Sequence, residues 1–344
     1  MNFASDNTAG AHPKIMEAIV RANAGRVLPY GRDDETTRVR KLVDETFETE
    51  TEVFFVATGT AANSLSLSVT VPPWGAIACH ATAHIHDHES TGPSLFAGGA
   101  KTMGIDGPAG KFTADALRTV ALTGRGDEHY AQVRAASVTQ LTEKGTTYRV
   151  EEVAAIGAVC RDLGMNLHMD GARFANAVAS LNCTPAEMTW KAGVDVLSFG
   201  GTKNGCLALD AVVFFNKDLG REFLFQQKRS GHVLSKMRMM AAQMEAYLQD
   251  DLWLKNARHS NAMATRLADG LARLPGVEIT QAVEGNQVFP RLPKKMVTAL
   301  KAKGFQFYER GEGPDGKVAI RLVPAFDIPP EDVDAFIQTA KGAA

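Results

Sequence analysis

Asp170 and Lys203 have the side-chain types and positions of a catalytic pair. The apolar run NLHMD ends at Asp170 and is followed by Gly-Ala-Arg, and a second apolar run, VDVLSFGG, leads into Thr202-Lys203. A lysine amine can form a Schiff base with an aldehyde, and a carboxylate beside a pyridine nitrogen keeps that nitrogen protonated. The combination predicts a pyridoxal 5′-phosphate (PLP) site, with Lys203 as the Schiff-base lysine and Asp170 as the pyridinium partner. Arg173 is close enough in sequence to reach the ring oxygen or the substrate.

Each of these residues also has an ordinary interpretation. A single lysine in a glycine-rich turn is usually solvated, and Asp-Gly after a strand is usually a turn. Both stretches, however, stand at the C-terminal ends of predicted strands, where ligands bind in open α/β sheets. The pair together therefore favours a cofactor site.

A phosphate-binding turn is predicted upstream. The buried strand VFFVA (53–57) runs into TGTAANS, a glycine turn that opens a helix. Unpaired backbone N–H groups and the helix dipole at such a helix start attract anions. Gly59, Thr60 and Ala61 are the residues that would supply the cradle.

Four of the nine histidines follow the next predicted strand, AIACH. Metal binding is one interpretation, because His80 and His84 could share a helix face. No cysteine or carboxylate partner stands at a usual ligand spacing, so we expect no metal. In the other interpretation one imidazole stacks on the cofactor ring and helps to move protons.

The elements that must position these residues alternate between strand and helix up to about residue 219. Strands that are apolar along their whole length indicate a largely parallel sheet covered on both faces. We expect a large cofactor domain over 1–250, with segment 1–32 contributing to the site, and a small α+β domain over 251–344. Arg321 stands in the apolar strand VAIRLVP and is expected to face a carboxylate, either in a structural ion pair or on the substrate.

Bulk properties exclude several classes of protein. The chain has 344 residues, 45% hydrophobic and 22% charged, with a net charge of −2. This balance predicts no nucleic-acid or anionic-membrane partner, and no apolar run approaches the roughly 20 residues of a membrane span. The N-terminus resembles no signal peptide, and four scattered cysteines indicate a reducing compartment, so we expect a cytoplasmic protein.

Taken together, these motifs resemble those of the threonine aldolase family of PLP-dependent enzymes, in the beta-eliminating lyase superfamily. The matching stretches span essentially the whole chain: SDNT, LPYGRDD, TGTAANS, AHIHDHE, DEH, MDGARF, SFGGTKNG, KRSGHVLSKMR and AIRLVPAF. The resemblance implies an α/β fold of the PLP-dependent transferase-like type (aspartate aminotransferase fold type I). Its mostly parallel seven-stranded sheet would lie between helices, with a small C-terminal α+β domain. It also implies a homotetramer built from catalytic dimers.

The resemblance also implies roles for individual residues at matching positions. It supports Lys203 and Asp170 in the roles above and Gly59-Thr60 as the phosphate loop. It implies that His84 stacks on the ring and that His129 lies near the substrate side chain. The remaining matches would hold the substrate α-carboxylate (Ser5, Arg173 and Arg321) or a neighbouring subunit's phosphate (Tyr30 and Arg229).

Two segments depart from the pattern of many family members. Glu143 stands where many members have the histidine of Glu-Asn-Thr-His, and residues 230–236 read SGHVLSK where many have a Gly-Gly-Gly-Met-Arg-Gln turn. These departures leave the predicted cofactor residues intact. They are similar to those of the low-specificity and phenylserine-cleaving branch, and they leave substrate range and β-carbon stereoselectivity open.

The implied reaction is retro-aldol cleavage of L-β-hydroxy-α-amino acids (threonine, allo-threonine and phenylserine) to glycine and an aldehyde. The base that takes the β-hydroxyl proton is His84, His129 or a water between them. The alternatives are another fold-type-I enzyme, such as a β-eliminating lyase or an aminotransferase, and a non-catalytic binding protein. A nicotinamide dehydrogenase is disfavoured because no GxGxxG follows a first strand.

Overall fold

Seven strands form one sheet through the centre of the larger part of the protein, in a computed structural model that describes residues 1–344. The spatial order is β1-β7-β6-β5-β4-β2-β3, and β7 alone runs against its neighbours. The predicted fold class, a mostly parallel seven-stranded sheet, is confirmed. The strands are β1 Glu52–Val56, β2 Gly75–His80, β3 Lys101–Ile105, β4 Gln132–Thr139, β5 Asn166–Gly171, β6 Val196–Gly200 and β7 Asp210–Phe214.

The strand register places three polar residues at one edge of this sheet. Thr139 at the end of β4 pairs with Asp170 near the end of β5, and Gly200 at the end of β6 pairs with Asp210 at the start of β7. Because β7 is antiparallel, its first residue lies beside the last residues of its two neighbours, β6 and β1. Asp170, Asp210 and the Lys203 turn therefore meet at the C-terminal edge of the parallel strands.

Helices cover both faces of the sheet, since strands such as β2, β6 and β7 are buried at every position. Their alternation with the strands follows the βαβ pattern expected of parallel sheets. The helices of this part are α1 Pro13–Ala22, α2 Asp34–Phe47, α3 Gly59–Ser68, α4 His84–Asp87, α5 Gly92–Phe96, α6 Ala114–Leu122, α7 Val150–Leu163, α8 Phe174–Leu181, α9 Pro185–Met188, α10 Lys217–Arg229, α11 Arg238–Leu248 and the long α12 Leu252–Ala272.

A second apolar core belongs to the C-terminal part. Helix α12 contributes Trp253 and Ala257 to the first core and residues from Met263 onward to the second, so the change of core falls inside this helix. Four antiparallel strands in the order β10-β11-β9-β8 form its sheet. The elements are β8 Glu278–Ile279, β9 Pro290–Pro293, α13 Lys294–Ala302, β10 Tyr308–Glu312, β11 Lys317–Arg321 and α14 Pro330–Gly342.

The N-terminal segment ties the two parts together. Phe3 is fully buried in the second core, and Asn2 forms a β-bridge with Gln306. A few residues later Asp6 starts a short 3₁₀ turn (6–8) that packs against the 3₁₀ turn carrying Lys203. The first eight residues therefore run from the small domain to the sheet edge. No helix is both long and apolar enough to span a membrane.

Candidate active site

A polar cavity of about 290 Å³ opens at the C-terminal edge of the large sheet. Only two of its 14 lining residues, Ala57 and Ala172, are hydrophobic. The lining includes five residues that the sequence assigned to the site, so the fold brings these distant positions together: Gly59, Thr60, His84, Asp170 and Lys203.

Hydrogen bonds and close packing fix the turn that carries Lys203. It is a 3₁₀ turn over residues 202–204 that follows β6. Buried Asn204 donates from Nδ2 to the Tyr247 hydroxyl at 2.8 Å and to the Trp253 carbonyl at 2.8 Å. Gly205 has φ of +114°, and an added Cβ would lie 2.9 Å from Asn256 Nδ2. The turn thus fixes where the lysine side chain enters the cavity.

Asp170 belongs to a hydrogen-bonded series of side chains along the cavity wall. Its Oδ1 accepts the Ala172 N–H at 3.0 Å, and its Oδ2 accepts from Asn63 Nδ2 at 3.0 Å. The same Asn63 nitrogen donates to Glu89 Oε1 at 2.8 Å, and Glu89 Oε1 lies 2.8 Å from His84 Nδ1. The hydrogen bond that His84 donates to Glu89 raises the pKa of His84. These hydrogen bonds therefore link His84 to Asp170 through Glu89 and Asn63.

The start of α3 forms the opposite wall. Thr58 caps the helix, with its Oγ1 accepting the Ala61 N–H at 3.1 Å and its carbonyl accepting the Ala62 N–H at 3.0 Å. The N–H groups of Gly59 and Thr60 have no acceptor within the chain, and both residues line the cavity. Free amides at a helix N-terminus are suited to a phosphate group.

Asp210 brings a carboxyl group close to this helix start. Its Oδ1 accepts the Gly201 N–H at 2.9 Å, and its Oδ2 lies 3.9 Å from the place where a Cβ on Gly59 would stand. Burial raises the pKa of Asp210 to about 6. This carboxyl group is therefore neutral only below about pH 6, and above that pH its charge opposes an anion at the helix start.

Arg173 and Arg321 lie beside the cavity and differ in their partners. Arg173 is 8% exposed and donates from Nε and Nη2 to the two carboxylate oxygens of Asp6, at 2.7 and 3.0 Å. Burial opposes ionisation of Asp6, but the charge and hydrogen bonds of Arg173 hold the pKa of Asp6 below its usual range.

Arg321 was expected to face a carboxylate, and as a structural ion pair that expectation is wrong. Its Nη2 donates to the Ala4 carbonyl at 3.2 Å, its guanidinium lies over the Tyr308 ring, and its buried Nε has no acceptor. Burial and the neighbouring charge of Arg173 lower the pKa of Arg321. Two guanidinium groups thus stand near one another, and the Arg321 Nε–H is free to bind an anion.

Four other predicted site residues do not line this cavity in their own chain. Ser5 caps the first 3₁₀ turn, accepting the Asn7 N–H at 3.2 Å, and Asn7 lines the cavity in its place. Tyr30 and Arg229 are exposed on the surface, where Lys228 lies over the Tyr30 ring. Their predicted roles remain predictions.

His129 lies at the other end of the sheet. It is exposed in the loop before β4, whereas the cavity lies beyond the end of that strand. The eight residues of β4 separate the two by roughly 25 Å at about 3.3 Å per residue. His129 therefore cannot reach the cavity of its own chain, and its predicted role requires a second subunit.

Sequence reasoning missed several residues of the site. Asn63 and Glu89 stand in TGTAANS and AHIHDHE, stretches in which other residues were predicted to form the site. Their spacing in the sequence does not indicate that their side chains form a hydrogen bond. Asp6 is far in sequence from its partner Arg173, and Asp210 stands at the start of a strand that carried no site assignment. No group of three His, Cys, Asp or Glu residues is placed to hold a metal ion.

Comparisons with known proteins agree with this geometry. A model of the beta-eliminating lyase family matches residues 2–293. The chain is 46% identical over 312 residues to the low specificity L-threonine aldolase of Pseudomonas aeruginosa, covering 90% of each chain. It is 45% identical to that of a Pseudomonas species, covering 89% of this chain and 88% of the other. A solved threonine aldolase of Leishmania major superposes with a TM-score of 0.94 at 27% identity, covering 99% of this chain and 98% of that chain.

Proposed function

The chain belongs to the beta-eliminating lyase family, and from that premise we propose that it is a PLP-dependent aldehyde-lyase that cleaves L-threonine to glycine and acetaldehyde. One structural observation supports this most directly: Lys203, Asp170 and the free amides at the start of α3 line a single cavity. The family resemblance found in the sequence is confirmed by the comparisons.

The residues present fit PLP. Lys203 would hold its aldehyde carbon, Asp170 its pyridine nitrogen, and the Gly59 and Thr60 amides its phosphate. The buried Asn63 Oδ1 and Glu89 Oε2 atoms have no partner within the chain, so polar atoms remain available along the same wall. When bound, PLP supplies an electron-accepting ring that stabilises negative charge at the substrate Cα.

The two arginines are proposed to bind the substrate α-carboxylate. Arg321 offers a buried Nε–H without an acceptor, and guanidinium groups bind carboxylates through two parallel hydrogen bonds. Arg173 is fixed by Asp6 and contributes mainly positive charge. Holding the carboxylate in one place orients the Cα–Cβ bond for cleavage, since effective catalysis requires alignment of the breaking bond.

His84, or a water that it holds, is proposed to exchange the β-hydroxyl proton. It lines the cavity, and Glu89 fixes its Nδ1, which leaves Nε2 for the substrate side. A histidine changes charge near neutral pH and is suited to such transfer. If both His84→Ala and His129→Ala kept near-normal turnover, a histidine in this role would be ruled out.

Allo-threonine and phenylserine are proposed as further substrates, in keeping with the low specificity that names the bacterial relatives. The test is aldehyde release from L- and D-isomers of threonine, allo-threonine and phenylserine with PLP added, with Lys203→Ala as control. We expect aldehyde and glycine from L-isomers only, and none from the control. A PLP-loaded protein that released no aldehyde from any isomer would instead point to an eliminating lyase or an aminotransferase.

A homotetramer of catalytic dimers is proposed as the working form. Apolar side chains are exposed near Tyr30 and along α10, including Leu28 at 64% and Phe225 at 72%, which is typical of a subunit interface. Light scattering coupled to gel filtration would give the mass directly, and a monomer would refute the proposal. All four cysteines are unpaired, which supports the proposed cytoplasmic location.

A further inference from the structure

Glu143 is the one carboxylate of the cavity wall that the chain itself leaves unbound. Four carboxylates line the cavity: Glu89, Glu143, Asp170 and Asp210. Donors of the chain bind the other three, namely Asn63 and His84 at Glu89, Asn63 and Ala172 at Asp170, and Gly201 at Asp210. Glu143 makes no side-chain hydrogen bond or ion pair and is half-buried.

The position of Glu143 is set by a tight turn after β4. Thr142 and Thr146 flank it, both buried, and Thr142 accepts the Gly145 N–H at 2.9 Å while its own N–H donates to the Thr146 carbonyl at 2.9 Å. The two threonine hydroxyls lie 2.8 Å apart, and that of Thr146 donates to the Ala109 carbonyl at 2.6 Å. The backbone of Glu143 is therefore fixed, and its side chain lies at one part of the cavity wall.

That part of the wall is near both arginines and His84. The charge of Glu143 acts on Arg173, on Arg321 and on His84, so its carboxylate is within electrostatic reach of all three. A substrate carboxylate seated on the arginines is repelled by Glu143, and a substrate nitrogen lies toward Lys203. The substituent left to face Glu143 is the side chain, which carries the β-hydroxyl group.

A hydroxyl group needs an acceptor for its hydrogen when it leaves water. His84 has Nδ1 committed to Glu89, so Nε2 is its one ring nitrogen left to face the substrate. Each of the other wall carboxylates has at least one oxygen bound by the chain, whereas neither oxygen of Glu143 is bound. We propose that Glu143 accepts the hydrogen bond of the substrate β-hydroxyl group and thereby determines which β-diastereomer is cleaved; this rests on the proposed function for its substrate class.

The diastereomer preference follows from geometry at Cβ. Threonine and allo-threonine differ only in exchange of the hydroxyl and methyl groups on that carbon. With the carboxylate and nitrogen fixed, an acceptor on one side of Cβ meets the hydroxyl group of one isomer and the methyl group of the other. Loss of the acceptor therefore reduces the difference between the isomers.

The direct test compares L-serine with L-alanine, which differ only by the β-hydroxyl group. Their dissociation constants are measured on the PLP-loaded protein from the change in cofactor absorbance. Hydrogen bonds to a charged group contribute about 1.5–3 kcal/mol, so we expect wild type to prefer serine by roughly 10- to 150-fold. In Glu143→Ala the two ligands bind alike, and in Glu151→Ala, an exposed glutamate on α7, the preference is unchanged.

Kinetics supply the second measurement. In Glu143→Ala the ratio of kcat/KM for L-threonine to that for L-allo-threonine moves toward one, while glycine, which has no Cβ, binds as in wild type. Equal weakening of glycine, alanine and serine would overturn the proposal, because Glu143 would then act through the arginines. An unchanged serine-to-alanine preference would overturn it as well. Binding is read from the initial absorbance change, before any aldehyde accumulates, so failure of wild type to release aldehyde from threonine refutes the proposed function separately.

Discussion

Replacing Asp6 by asparagine is expected to destabilise the protein strongly, because it removes one charge of a buried ion pair. Asp6 and Arg173 are 2% and 8% exposed, and two hydrogen bonds of 2.7 and 3.0 Å join them. Breaking such a pair by removing one partner costs about 3–5 kcal/mol, since the other charge stays buried without compensation. Arg321 increases the cost, because its positive charge already stands near Arg173.

The loss can be converted to a melting temperature. With about 2.1 cal/mol/K of unfolding entropy per residue, 344 residues give roughly 0.7 kcal/mol/K. The Asp6→Asn variant should therefore melt about 4–7 °C below wild type. Differential scanning calorimetry at equal protein concentration would measure this shift.

The chain offers a matched control for this experiment. Arg266 and Asp334 form the same two-bond arrangement, at 2.7 and 2.6 Å, on the protein surface. Water screens an exposed pair, so Asp334→Asn should leave the melting temperature almost unchanged. If Asp6→Asn and Asp334→Asn had the same melting temperature, loss of the buried Asp6–Arg173 pair would not cost the about 3–5 kcal/mol expected of it.

Three further outcomes are expected. Arg321→Lys should lower kcat/KM for L-threonine about 10- to 100-fold without changing cofactor absorbance, because a lysine cannot form two parallel hydrogen bonds to the carboxylate; an unchanged value would remove Arg321 from substrate binding. Glu89→Gln should lower the pKa of His84, since the Glu89 hydrogen bond raises it, so any limb of the kcat–pH profile that His84 governs should move to lower pH. Burial raises the pKa of Asp210 from 3.8 to about 6. The contribution of its protonation to the free energy of unfolding is therefore fully present below pH 3.8 and is lost as the pH rises through 6. Above pH 6 the charged Asp210 repels the phosphate group, and Asp210→Asn should bind PLP more tightly than wild type there, with the difference vanishing at lower pH in a titration of cofactor absorbance.

The sequence alone determined the cofactor chemistry and the fold class. Lys203 and Asp170 follow apolar runs whose strand character is local, and both runs are buried strands in the structure. The glycine turn before α3 and the strand–helix alternation are likewise local signals, because hydrophobic period and turn chemistry act over a few residues. The residues that these signals identify do line one cavity.

Tertiary structure alone decided how these residues are partnered. Arg173 is held by Asp6, which is distant in sequence, and Arg321 lacks the carboxylate that its apolar strand led us to expect. No local pattern reports such contacts, because a hydrogen bond between distant residues depends on how strands and helices pack. His129 shows the same limit, since only the direction of β4 places it at the far end of the sheet. Residue types therefore fix the chemistry that is available, and packing fixes which charges remain free to meet a substrate.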